Sequence, residues 1–348
     1  MVATQSASAG RLLFLGDINF KGVNFASDIF DNVKEELAAA DIVFANLECC
    51  LSLGRAVAPR QAFCADPWFG SVLADAGIDI VGNANNVNFG SEAITVSNQV
   101  LDEAGVLHVG SGANIEDASG AKILVRDGRR YGFLQRTAIY WPSGHEAETN
   151  QAGVAILKAH TGYRPVLDHH AAVTRPGVPP EVITWADKHA LEKLQNEVSK
   201  LRKEVDFLTA SFHWGYRQDV LAYQKEFAHA AIDAGADLVF GHGPHTIAPL
   251  ERYKNKMIIY GMGNFVFHVA HTEDVHAHWT GMIARLGVAE NGIHSIDLAF
   301  VSKSENNQPM LVPYRSCAEE FKFLVTTSAA NGVSIRETYD AIWFRAIC

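Results

Sequence analysis

The chain has no Cys-x-x-Cys pair, no apolar run of the length that crosses a bilayer, and no excess of positive charge. Each absence removes a class of protein. The five cysteines, Cys49, Cys50, Cys64, Cys317 and Cys348, are odd in number and scattered. A disulfide framework or zinc ribbon is therefore not expected, and a reducing compartment is. A membrane helix needs about 20 consecutive apolar residues, and the sequence has no such run. Residues 1–10, MVATQSASAG, carry neither the basic nor the apolar part of a secretory signal. They read as a flexible N-terminus, and the expected location is cytoplasmic. The formal charge of −10 offers no basic face for sequence-independent nucleic-acid binding. A bound metal can still reverse the local field for a phosphate or carboxylate. Internal repeats and low-complexity segments are missing as well.

What remains, at 48% hydrophobic and 20% charged residues, is the composition of an ordinary globular protein. The length of 348 residues allows one large domain or two. No boundary is evident, so the expectation is one domain over residues 11–302 with a C-terminal extension, 303–348, packed on it. Histidine is plentiful: there are fifteen, clustered after residue 200.

Residues 235–267, GADLVFGHGPHTIAPLERYKNKMIIYGMGNFVF, concentrate the chemistry. An apolar run over 238–240 reads as a buried strand, and it ends in Gly-His-Gly-Pro-His. Glycines let the backbone approach a ligand closely and Pro244 fixes a dihedral, so His242 and His245 leave a strand end on a held turn. Two imidazoles at the carboxyl end of a parallel strand suit a borderline metal. Taken alone, the pair reads more readily as two solvated loop histidines.

Four more apolar runs end in the same manner. Residues 11–16 lead to Asp17, 41–45 to Asn46 and Glu48, 78–81 to Asn86, and 205–210 to His213. Helical spacing over 27–39, 66–76 and 91–104 separates the first runs, and Gly105 closes the last of these helices. Strand–loop–helix repetition of this kind predicts βαβ crossovers and a mostly parallel centre, with the five strand ends on one edge of a sheet. Residues 121–135 read as a hairpin turning at Asp127-Gly128. Helices are expected at 185–202 and 223–234, a hairpin over 281–301, and a final helical portion from Glu319 onward. Residues 140–180 show no period and read as an irregular lid; 268–279 read as a second substrate loop.

The motifs GDIN, DIVFANLE, DIVGNANN, SFHWG, AAIDAGADLVFGHGPH and IIYGMGNFVF resemble those of the bacterial CapA (poly-γ-glutamate, capsule synthesis) family. The resemblance runs from about Leu12 to Phe267. It implies an α/β fold of the calcineurin-like metallophosphoesterase type, with central mostly parallel sheets flanked by helices. It also implies a divalent metal centre, dinuclear with Mn, Fe or Zn. Carried over by position, Asp17 binds one metal, Glu48 bridges, Asn86, His213 and His242 hold the second, and His245 returns to the first. Asn46 and Asn264 stand just outside as orienting or substrate-contacting groups.

The departures are specific. Asp17-x-Asn19 stands where metallophosphoesterases have Asp-x-His, and Asn85-Asn86-Val87 where the family has Asn-Asn-His. The loop before Phe89-Gly90 is about two residues short of the family's, and a register using Asn83 and Asn85 stays open. The imidazole lost at Val87 is one that would protonate a leaving group. Its role falls to His268, with Asn19 and Asn46 as further catalytic candidates and Trp214, Arg217 and Asn264 as substrate contacts. Trp214 fits a core wall as well as a pocket wall. His169, His170, His271, His276 and His278 read mainly as loop or surface residues, and Cys49 and Cys50 as small buried ones.

Three functions remain open. One is a metal-dependent hydrolase acting through activated water on an amide, acyl or phosphate-ester bond of a small-molecule or peptide-like, carboxylate-bearing or γ-glutamyl-type substrate. Another is a peptide-modifying enzyme of epimerase type, which the loss at Val87 suits. The third is a non-catalytic partner in polymer synthesis. No nucleic-acid partner or membrane span is expected, and a homo-oligomer is left open.

Overall fold

A computed structural model describes residues 10–23, 28–53, 62–165, 174–269 and 274–347. Two sheets lie face to face with helices outside. The first is built from strands β1 (Gly10–Asn19), β2 (Ile42–Leu47), β3 (Ile80–Gly82) and β4 (Leu107–Val109), all parallel. The second contains β5 (Lys122–Arg126), β6 (Arg129–Thr137), β7 (Phe207–His213), β8 (Leu238–His242), β9 (Leu250–Tyr253) and β10 (Lys256–Ile259), with β6, β7, β8 and β10 parallel. The first sheet continues through β11 (Asn264–Phe267), parallel to the end of β1, and antiparallel β12 (Thr280–Ala289) and β13 (Gly292–Lys303). The fold is thus the mixed α/β class with mostly parallel centres that the sequence predicts.

Alternation along the strands explains the layering, because successive side chains face opposite sides. Leu12 and Phe14 of β1 and Phe44 of β2 point between the sheets, where they meet Phe133, Phe207 and Phe240. Phe240 lies edge-on to Phe14 and Phe44, with ring centroids 4.7 and 4.9 Å away. Leu13, Leu15 and Val43 face outward onto the helices Phe69–Asp75 and Ser91–Ala104, through Leu73 and Leu101. Leu208, Ala210 and Val239 of the second sheet do the same against Lys188–Arg202 and Ala222–Asp233. With both faces covered, the central strands read as continuous apolar runs rather than alternating ones. Burying each large side chain contributes about 1.5–3 kcal/mol.

Several expectations need correction. The five ligand-bearing strand ends belong to two sheets, not one: β1, β2 and β3 to the first, β7 and β8 to the second. Residues 140–180 are not wholly irregular, since Ala159–Arg164 pairs with Glu181–Ala186 as a ribbon. Trp185 lies in that ribbon, and the helix begins after Asp187, whose carboxylate accepts from the Ala190 N–H. The C-terminal portion has, among the described residues, one α-helix, Ala318–Ala329, preceded by a 3-10 turn, and then two strands, Ser334–Glu337 and Trp343–Ile347, that extend the first sheet beyond β13. The expectations at His169, His170 and His271 fall outside the described residues. Among the described residues no helix is long and apolar enough to cross a membrane.

Candidate metal centre

Strand register sets the site. In the first sheet Asp17 is level with Asn46 on one side and Asn264 on the other, and Asn46 is level with Gly82. In the second sheet His213 is level with Thr137 and His242. The carboxyl ends of both sheets reach the same rim, and the two rows face each other there. Asp17 Oδ1 lies 3.2 Å from His242 Nδ1, and Asp17 Oδ2 lies 3.3 Å from His245 Nδ1. Glu48 Oε1 lies 3.5 Å from His245 Nε2 and 3.6 Å from His213 Nε2. Asp17, Glu48, His213 and His242 are buried.

His245 reaches inward because the turn after β8 bends sharply, with φ of 111° at Gly243 and 56° at His245 itself. A side chain at Gly243 would adopt a disfavoured φ and meet the Trp214 carbonyl at 2.7 Å, so glycine is required there. Burial works against the charged form of the His245 imidazole, but Glu48, Asp17 and Asn264 outweigh it and push its pKa up to about 9. For Asp17 burial favours the neutral acid, and the His242 and His245 imidazoles overcome it, holding the carboxyl well below its usual range.

The donor set fits a divalent metal. His242 Nε2 and His213 Nε2 are buried and make no hydrogen bond among the described residues, a costly state for imidazole nitrogens unless an ion takes their lone pairs. Asp17, Glu48 and His245 offer ligand atoms that all lie within 4.8 Å of one another. Carboxylate oxygens with imidazole nitrogens suit Mn, Fe or Zn.

A second layer of side chains fixes the first. Asn46 Nδ2 donates to Asp17 Oδ1 at 2.8 Å, and Asn46 Oδ1 accepts from Gln135 Nε2 at 3.0 Å. The oxygen of Gln135 in turn accepts from the Ala84 N–H at 2.7 Å. Asn264 Oδ1 sits 3.0 Å from His245 Nδ1. Asn46 and Asn264 are both buried. Of the two places the sequence allows them, orienting or substrate-contacting, these hydrogen bonds match the orienting one: both ends of the Asn46 amide and the Asn264 oxygen face site residues.

Of the two places the sequence allows Trp214, a core wall or a pocket wall, the structure gives the first. It is fully buried, donates its indole N–H to the Tyr260 carbonyl at 3.0 Å, and stacks on Phe212 and Tyr260. Strand alternation turns it away from the face that carries His213, so it is a core wall. Arg217 is exposed, at φ 60°, and lines a cleft of about 820 Å³ with Asn86, Tyr216, Pro244, His245 and Thr246. Asn86 is the amide of its loop that reaches this cleft. Asn85 instead binds the Leu47 carbonyl and the Val87 and Asn88 N–H groups, and Asn83 donates to Asn98. Asn83 Oδ1, by contrast, is buried with no hydrogen-bond partner among the described residues.

Val87 is packed in the core. Asn19 is buried; its oxygen accepts from the Lys21 N–H, and its Nδ2 has no hydrogen-bond partner among the described residues. His268 follows β11, half-buried, with Nδ1 likewise unpartnered.

Three residues escape the sequence reading. Gln135 gives no local signal, since its partner Asn46 is 89 positions away. His145, from the supposed lid, is buried beneath the Asn86 loop; its Nδ1 accepts from the Trp141 N–H at 3.0 Å and its Nε2 lies 3.1 Å from the Asn88 carbonyl. Burial pushes its pKa down to about 4. His276, expected at the surface, is half-buried against the Phe267 ring, and its backbone N–H donates to the His268 carbonyl at 2.9 Å.

Residues 11–269 match the family described as bacterial capsule synthesis protein PGA_cap. The chain belongs to this family. Among curated proteins it is 29% identical over 240 residues to a probable polyglutamine synthesis accessory protein of Mycobacterium tuberculosis, covering 66% of this chain and 57% of that one. It is 24% identical over 282 residues to an uncharacterized protein of Sinorhizobium fredii, covering 68% and 61%. A shorter segment of 72 residues is 42% identical to the PGA biosynthesis protein CapA of Bacillus subtilis, covering 20% and 19%. The chain thus spans about three fifths or less of the length of these relatives. Among solved structures, a phosphatase from Mycoplasma pneumoniae aligns with a TM-score of 0.49 at 12% identity, covering 91% of this chain and all of that one.

Proposed function

We propose that this PGA_cap chain is a metal-dependent hydrolase acting on an amide or acyl bond of a carboxylate-bearing, γ-glutamyl-type substrate. The observation that carries the reading is the convergence of Asp17 and Glu48 with His213, His242 and His245 at the rim shared by the two sheets. A divalent ion held there, or a pair of them with Asn86 completing the second, supplies Lewis-acid polarisation and a water of lowered pKa. Asn46 and Asn264 keep Asp17 and His245 in place. Arg217, on the cleft wall, offers a planar fork for the substrate carboxylate. The Asn19 amide is a spare donor at the end of β1, and His268 supplies the acid–base imidazole that Val87 cannot. The names of the M. tuberculosis and B. subtilis relatives motivate the γ-glutamyl substrate.

A second reading, an accessory role in polymer synthesis without turnover, is favoured by Val87 and by the word accessory in the M. tuberculosis name. Metal analysis of protein purified without chelator, followed by turnover assays on γ-glutamyl peptides, separates the two. The hydrolase reading expects about two equivalents of bound metal and hydrolysis that is lost in His213→Ala. Bound metal with no hydrolysis of any γ-glutamyl substrate favours the accessory role, and protein that binds no metal overturns the proposal.

A further inference from the structure

Cys49 and Cys50 directly follow Glu48, and Cys64 lies beside them, yet the proposed reaction uses none of the three thiols. The short parallel strands Cys50–Leu51 and Cys64–Ala65 place Cys50 level with Cys64, and the Cys50 N–H donates to the Phe63 carbonyl at 2.7 Å. Neighbouring strands are about 4.8 Å apart, inside the Cα separation of about 4.4–6.8 Å that a disulfide spans. The register sets the two thiols side by side. Their surroundings differ. Cys50 is fully buried and Cys64 is half-exposed, with the Lys21 ammonium nearby. Cys50 also donates from its thiol to Asn88 Oδ1. Asn88 in turn donates to the Asn83 carbonyl and accepts, through its own carbonyl, from His145.

We propose that Cys64 and Cys50 form a peroxide-sensitive dithiol, with Cys64 as the attacking thiol and Cys50 as the resolving one, and that closing the disulfide loosens the loop at 83–90. The proposal does not depend on the metal reading. In the first step the Cys64 thiolate attacks one oxygen of a hydroperoxide; the S–O bond forms, the O–O bond breaks and hydroxide or alkoxide leaves. Cys64 becomes a sulfenic acid. In the second step the Cys50 sulfur attacks the Cys64 sulfur; the S–S bond forms, the S–O bond breaks and water departs with the Cys50 proton. The two thiols together lose two electrons, and the peroxide gains them. The division of roles follows access, because an oxidant reaches Cys64 first. Cys50 and Lys21 also favour the Cys64 thiolate, lowering its pKa to about 7 against the opposing effect of burial. Once Cys50 is in a disulfide it has no proton to give Asn88, and the loop loses one of its tethers.

The test uses the full chain with stoichiometric hydrogen peroxide near pH 7.5 and peptide mapping under denaturing conditions. The expected product is a single intramolecular Cys50–Cys64 link, absent in Cys64→Ser. In Cys50→Ser the reaction should stop at a sulfenic acid on Cys64, captured by a cyclic diketone. Cys64 should be oxidised at least about tenfold faster than buried Cys317. Amide exchange of the peptide covering 83–90 should accelerate in the oxidised wild type and return on reduction. A link through Cys49 or any other cysteine, or a Cys64 no faster than Cys317, overturns the assignment. A Cys50–Cys64 link with unchanged exchange at 83–90 overturns the coupling to the loop.

Discussion

Asn46 hands its amide proton to Asp17 at 2.8 Å, and so ties the carboxylate to Gln135 on the facing sheet. The two sheets are thus joined at the candidate metal centre by hydrogen bonds as well as by the aromatic layer beneath it. The link also explains Gly82. A Cβ there would lie 2.3 Å from Gln135 Nε2, and that amide has no room to move without releasing Asn46 or Ala84.

Asn46→Ala should therefore weaken metal binding without removing a ligand. Loss of an orienting partner typically costs 10–100-fold in affinity, here about that range, and the orphaned Gln135 amide should lower stability by about 1–3 kcal/mol. Gly82→Ala should reproduce the affinity loss by displacing Gln135. Titrations with Mn or Zn of variants matched for folded content measure both effects. Wild-type affinity in Asn46→Ala would remove Asn46 from the site.

His213→Ala and His242→Ala should each lower bound metal, measured by elemental analysis after purification without chelator. Each deletes one of the buried imidazoles whose Nε2 is without a hydrogen-bond partner. Full metal content in both variants would mean that Asp17, Glu48 and His245 hold the ion without them. The ion would then belong to the first sheet and the β8 turn alone.

The meeting of Asp17, Glu48, His213, His242 and His245 is legible in the sequence, because each follows the end of an apolar run. The partition into two sheets is not legible, since β1–β3 and β7–β8 carry the same buried, parallel signature. Nor are Gln135 and His145, whose roles arise from contacts 89 and 57 positions away. Trp214 misleads for a different reason. It follows His213 directly, and alternation turns it to the opposite face, which is the core.

His145 gives the chain an acid sensitivity of known sign. Its pKa is about 4 in the folded protein against an ordinary value of 6.5, so below 6.5 the unfolded chain binds the proton first. Stability from this residue is complete above pH 6.5 and declines as the pH falls toward 4, by up to about 1.4 kcal/mol per unit. His145→Gln loses hydrogen bonds and should start less stable at pH 8, yet show a shallower decline from 6.5 to 4. Urea midpoints across that range at fixed metal concentration check it. Parallel declines in the two proteins would show that other groups set the acid limb.

The last prediction concerns the proton that Val87 cannot supply. Val87 is buried among apolar neighbours, and His145, the imidazole beneath the same loop, has both ring nitrogens engaged. Neither can serve a leaving group. His268 follows β11 directly and its Nδ1 has no hydrogen-bond partner among the described residues. His276 is held beside it through the backbone. His268→Ala should lower kcat by roughly 10²–10⁴, the usual worth of general acid–base catalysis, and leave bound metal unchanged. His276→Ala removes no ligand and keeps the backbone hydrogen bond to His268, so it should leave kcat close to wild type. Simple esters such as p-nitrophenyl phosphate should be poor substrates, because a phosphoryl centre would need the imidazole missing at Val87. Brisk turnover of that ester by wild type, unchanged in His268→Ala, would assign the chain to plain phosphoesterase chemistry and remove His268 from the mechanism.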